Sequence, residues 1–175
     1  IVHTDRAESL KEFIDLKGHK WAYNDELSLS GNLAPLAQLR KLGFNATFFG
    51  HIIHSGCHFS SIEMVLNQTV DAAAIDSNVL QGWLLAHPEY KDKLQVLTSW
   101  GPLPIQPVVL NSRLPAAVKK TITEALLNMN KEERWSAELA KHHVWGFKPI
   151  DHSLYDKEKE VQAMVKNLSL YNAYY

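Results

Sequence analysis

Three times in the first half of this chain, a short apolar run ends in small polar residues and then opens a helix-patterned stretch. Lys20-Trp21-Ala22-Tyr23-Asn24 leads through Ser28-Leu29-Ser30-Gly31 into residues 32–42, where Leu33, Leu36, Ala37 and Leu39 recur at helical spacing before Gly43. Ser55-Gly56-Cys57-His58 opens a second such stretch, residues 59–67. The run 70–76 ends at Asp76-Ser77, which can cap a third, residues 78–86. Strands that alternate with helices in this way predict an α/β lobe built on a mostly parallel sheet flanked by helices. All the turns then lie at the carboxyl edge of their strands, where open α/β sheets bind ligands.

The rest of the chain extends the pattern. Residues 1–4, 46–49 and 94–97 predict short strands, and a short helix is expected around 9–13. Gly101-Pro102-Leu103-Pro104 is a stiff linker into an extended segment, 105–110. Helical patterning then dominates over 115–129, 131–142 and 155–168, and the chain closes on an aromatic tail, residues 170–175.

Composition removes several classes of function. Hydrophobic residues make up 46% of the chain, enough for a buried core, yet no apolar run approaches the ~18–20 residues a bilayer span requires. Lys and Arg together number 18 against 19 for Asp and Glu, so the basic excess of a nucleic-acid binder is missing. Neither nucleic acid nor direct membrane insertion is expected. A single cysteine, Cys57, excludes an internal disulfide.

The small polar turns are where chemistry can reside. A helix start presents unpaired N–H groups and the positive end of the helix dipole, both favourable to an anion. Ser28, Ser30 and Ser55 add hydroxyl donors, and Gly31 and Gly56 let the backbone approach a ligand. The same serines also serve as ordinary caps and turn formers. His51, His54, Cys57 and His58 form a second cluster, whose imidazoles and thiol suggest a metal- or thiol-dependent hydrolase as the alternative. Asp71 and Asp76 lie on one strand run, which sets them on opposite faces and argues against a catalytic pair.

Five blocks in order carry a family resemblance: residues 15–24, Ser28-Leu29-Ser30-Gly31, Ser55-Gly56-Cys57-His58 with Ser61-Ile62, residues 71–77, and residues 101–107. Together they resemble the phosphate/phosphonate-type substrate-binding proteins of ABC transporters, two-lobed periplasmic binding proteins of the type 2 class. The resemblance runs over residues 1–155. It implies a binder and not an enzyme, with no cofactor, taking a small oxyanion such as phosphonate, phosphite or phosphate.

Carried over residue by residue, it implies that Ser28, Ser30 and the Gly31 N–H hold the anion. Ser55 and His58 add donors, and Asp76 or Ser77 meets a protonated oxygen or a cationic tail. Gln106 stands where some members that bind an aminophosphonate place a carboxylate, which favours a simpler oxyanion. Members carry further residues ahead of the segment like 1–4, so the resemblance implies that the N-terminal part of the first lobe is missing. Residues 13–100 would then form a complete lobe carrying the anion loops, with 1–12 and 101–175 as crossover strands and a helical remnant of the other lobe. It further implies an ABC transporter permease as partner if the source is bacterial, and a periplasmic or otherwise extracytoplasmic location. A binding module that has lost transport is a further alternative.

Overall fold

The computed structural model describes residues 1–166 and 168; Asn167, Ser169 and the aromatic tail 170–175 lie outside the described residues. Five strands form one sheet: β1 (Val2–His3), β2 (Lys20–Tyr23), β3 (His51–His54), β4 (Ala72–Ala73) and β5 (Leu94–Gln95), in the order β3-β2-β4-β1-β5. The helices are α1 (Ala34–Lys41), α2 (His58–Leu66), α3 (Ser77–Ala86), α4 (Ala116–Asn128), α5 (Glu133–Lys141) and α6 (Asp156–Val165). The chain divides into two compact units, one of Ile1–Leu103 with the segment from Asp156 on, the other of Pro104–Tyr155.

The first unit has the α/β architecture that the repeated strand–turn–helix pattern predicts. β2 runs parallel to both neighbours, with Trp21 opposite Ile52 and Ala72, and Ala22 opposite Ile53 and Ala73. β1 is antiparallel to β4 and β5. Successive strand residues face opposite sides of a sheet, and β2 shows this directly. Trp21 and Tyr23 enter one core with Leu33, Leu36, Leu39 and Val165. Ala22 enters the other, with Val65, Val70 and Ala73. The first core is aromatic at its centre. Trp21 stacks on Phe49 at 4.5 Å between ring centroids, and Phe13 meets Trp100 edge-on at 5.0 Å.

Two local expectations need correction. Residues 46–49 are not a strand. Ala46–Phe48 is a 3-10 turn capped by Asn45, whose Oδ1 accepts the Thr47 N–H at 3.0 Å. A strand would have sent Phe48 and Phe49 to opposite faces, whereas both rings pack in the same core. Pairing with β2 begins only after Gly50, which lies so close to the Gly18 backbone that any Cβ would collide with it. The expected helix at 9–13 is replaced by 3-10 turns at Thr4–Arg6 and Phe13–Leu16. Asp15 holds the second, accepting the Lys11 and Glu12 N–H groups at 2.9 Å each.

The second unit consists of α4, α5 and two 3-10 turns, Met129–Lys131 and His152–Tyr155, with extended chain around them. None of its residues is buried. Asn130 Nδ2 donates to Trp145 O at 3.0 Å and the Tyr155 hydroxyl donates to Ile105 O at 3.0 Å.

Candidate functional site

Strands β3, β2 and β4 are parallel neighbours, so their carboxyl ends share one edge of the sheet, and each runs into a helix there: α2, α1 and α3. The turn after β2 is the most elaborate. Leu29–Leu33 is a single π-helical turn that runs straight into α1. The Leu33 N–H reaches back five residues to the Ser28 carbonyl at 2.9 Å, and the Asn32 N–H shares that acceptor at 3.1 Å. Wide turns of this kind recur at functional sites because they swing side chains out of the regular helical array. Ser28 caps the turn, its Oγ accepting the Gly31 N–H at 3.1 Å, which leaves the hydroxyl hydrogen to donate elsewhere.

Ser30 and His58 meet across the two loops, with Oγ and Nε2 3.4 Å apart. They are 28 positions apart in sequence, and the adjacency of β2 and β3 brings them together. Gly31 belongs to the same hollow: a Cβ there would stand 3.0 Å from His58 Cε1 and would overlap the Asn24 carboxamide. Burial pushes the half-buried His58 imidazole below its ordinary pKa, opposed by the Asp76 carboxylate and the Ala74 carbonyl. At neutral pH the ring is therefore uncharged and carries a single N–H.

The other expected residues divide. Ser55 turns inward: its Oγ lies 3.1 Å from both the Tyr23 and Cys57 carbonyls and 2.6 Å from the Oγ of Ser61, which is fully buried in α2. Its one hydrogen serves those partners, so Ser55 ties β2 to the α2 turn. Asp76 caps α3, with Oδ1 accepting the Asn78 N–H at 2.8 Å, and its charge acts on His58. Ser77 is exposed at the first position of α3. Gln106 belongs to the other unit and is exposed there.

The motif-based reading missed Asn24. It follows β2 directly, is 8% exposed, and its Oδ1 has no hydrogen-bond partner. A polar residue closing an otherwise apolar strand just ahead of a Ser-Gly turn was the signal.

The His/Cys cluster does not assemble. His51 and His54 are exposed at the two ends of β3, and Cys57 caps α2, its sulfur accepting the Ser60 N–H at 3.5 Å. The Ser60 hydroxyl, 3.3 Å from the sulfur, and then the Ser60 N–H hold the exposed thiol below its ordinary pKa. His58 points instead to Ser30. Among the described residues, no three His, Cys, Asp or Glu side chains gather as metal ligands. Nor is any described helix long and apolar enough to cross a membrane.

Comparison with known proteins identifies the family. The family described as "ABC transporter, phosphonate, periplasmic substrate-binding protein" matches residues 1–155. Among curated proteins, none matches this chain closely enough to count as a relative. Among solved structures, a binding protein component of an ABC phosphonate transporter from Pseudomonas aeruginosa superposes with a TM-score of 0.85 at 18% identity, over 94% of this chain and 56% of that one. The PhnD1 protein of Prochlorococcus marinus, in complex with methylphosphonate, gives 0.74 at 20% identity, over 95% and 65%. A Xanthomonas citri protein bound to ATP gives 0.69 at 20% identity, over 94% and 64%. The chain spans less than two thirds of the length of each of these proteins. Those likenesses establish the fold. The family match over nearly nine tenths of the sequence does more, and the chain belongs to the phosphonate-type periplasmic substrate-binding proteins of ABC transporters, which bind solutes and are not enzymes.

Proposed function

We propose that this chain binds a small tetrahedral oxyanion, a phosphonate, phosphite or phosphate, for uptake through an ABC transporter permease on the extracytoplasmic side of a membrane. The observation that carries the reading is the meeting of Ser30 and His58 at 3.4 Å, across two helix starts on one sheet edge. A neutral imidazole and a hydroxyl at helix N-termini supply hydrogen bonds to an anion without requiring a counter-charge. In this reading Ser30 donates directly, His58 does so in the tautomer that carries its hydrogen on Nε2, and Ser28, whose hydroxyl hydrogen is not used by its Gly31 bond, adds a third donor. Ser55 acts through the turn it secures. Asp76 or Ser77 meets a protonated oxygen or a cationic tail of the ligand. Residues 13–100 form the lobe that carries the anion loops.

Calorimetric titration of the chain with methylphosphonate, phosphite, phosphate and sulfate tests the reading. At least one phosphorus oxyanion should bind. Combining Ser30→Ala with His58→Ala should weaken binding by about a hundredfold, since each hydrogen bond to a charged group contributes ~1.5 kcal/mol or more. An unchanged affinity in the double variant would overturn the assignment.

A further inference from the structure

We propose that Asn24 makes this a site for an oxyanion that still carries a hydrogen, a P–OH monoanion, and that it discriminates against fully ionised or esterified forms. The proposal rests on the anion reading above and specifies which form of the anion is taken.

Asn24 is more than nine-tenths buried at the end of β2, and its Oδ1 lacks a donor. That oxygen fills the space a Cβ on Gly31 would occupy, and His58 Cε1 lies 3.0 Å from the same point. The acceptor therefore stands beside the two residues that line the hollow with Ser30. Buried polar atoms are almost always paired, so an orphaned acceptor at a ligand site marks the place of a donor that arrives with the ligand.

Ser30 and His58, which can donate, thus stand beside an acceptor on Asn24. A fully ionised oxyanion offers lone pairs alone and leaves the Asn24 oxygen unpaired. A monoanion turns its remaining O–H toward an acceptor and its other oxygens toward the donors. A site built to hydrogen-bond a hydroxyl rejects analogues that lack it far more strongly than an apolar pocket rejects an extra methyl group.

The test is calorimetric titration of the whole chain, at mildly acidic pH, with methylphosphonate, its monomethyl ester and sulfate. The ester is a monoanion without the hydrogen, and sulfate is a dianion without it. Methylphosphonate should bind at least about tenfold more tightly than the ester, and sulfate should be weaker still. Equal binding of either analogue overturns the proposal. In Asn24→Leu the gap between methylphosphonate and the ester should close. A gap that persists there would trace to the size of the ester and would overturn the assignment to Asn24. Should that variant fail to fold, Asn24→Asp keeps an acceptor oxygen and should keep the gap; its loss counts against the proposal. If the wild-type chain binds none of the three, the anion reading itself falls and this one with it.

Discussion

Residues 1–103 with α6 surround their sheet with two apolar cores, whereas Pro104–Tyr155 contains two well-formed helices and not one buried residue. Trp21 in the first unit is 2% exposed, while Trp145 in the second is 79% exposed. Val109, also 79% exposed, and Ile105, at 63%, share that condition. Both units carry helices of similar quality, so helix formation does not separate them. A strand whose alternate residues face two cores does: β2 sends Trp21 and Tyr23 to one side and Ala22 to the other. The lesson is that apolar periodicity creates a buried stripe only where a second layer is present to cover it. It also explains why the candidate site sits in the first unit, since loops that must hold polar atoms in fixed positions need rigid strands beneath them.

The contrast can be broken most directly by truncating one tryptophan in each unit. Trp21→Ala removes a ring stacked on Phe49 and should cost about 3–5 kcal/mol. Trp145→Ala should stay within about 0.5 kcal/mol. Urea denaturation followed by far-UV circular dichroism measures both, and comparable losses would show that the second unit has a core of its own. A smaller effect sharpens the role of the site loops. Gly31→Ala forces a methyl group into the Asn24 carboxamide and against His58, and should cost about 1–3 kcal/mol as overpacking. Anion binding should fall with it in the same titration, and a neutral result in both would mean that the Asn24 side chain is free to move aside.

The smallest effect concerns acid. Burial lowers the His58 pKa in the folded chain, so the unfolded chain takes up a proton first as pH falls. Stability is then fully present above the unfolded value of about 6.5 and declines below it, down to the lowered folded value. His58→Gln should flatten that part of the profile in denaturant midpoints measured between neutral and mildly acidic pH. An unchanged slope would mean that the ring is solvated in the folded state.

Much of the first unit was legible from residues alone, because its signals are local. Small polar residues at Ser28, Cys57 and Asp76 each cap a helix close to where the pattern placed one, and the five motif blocks pointed to the family. The misplaced strand at 46–49 shows the limit of that logic. Two adjacent phenylalanines satisfy a strand preference equally well whether they alternate or, as here, turn together into one core. The same limit applies to the serines. Ser30 and Ser55 occupy equivalent-looking turns, yet one faces His58 and the other is tied into the backbone of its own turn and of β2.

Which helix starts exist, and on which edge of a sheet they lie, follows from patterns a few residues long. Which of their side chains meet follows from the strand order β3-β2-β4, which sets neighbours far apart in sequence side by side. Asn24 is the clearest case: as a residue type it reads as the end of a strand. Its orphaned oxygen acquires meaning only because Gly31 leaves room for it and the neighbouring strand carries His58 alongside. Local preference is a property of the chain's near neighbours, whereas a binding site is assembled from partners that only packing selects.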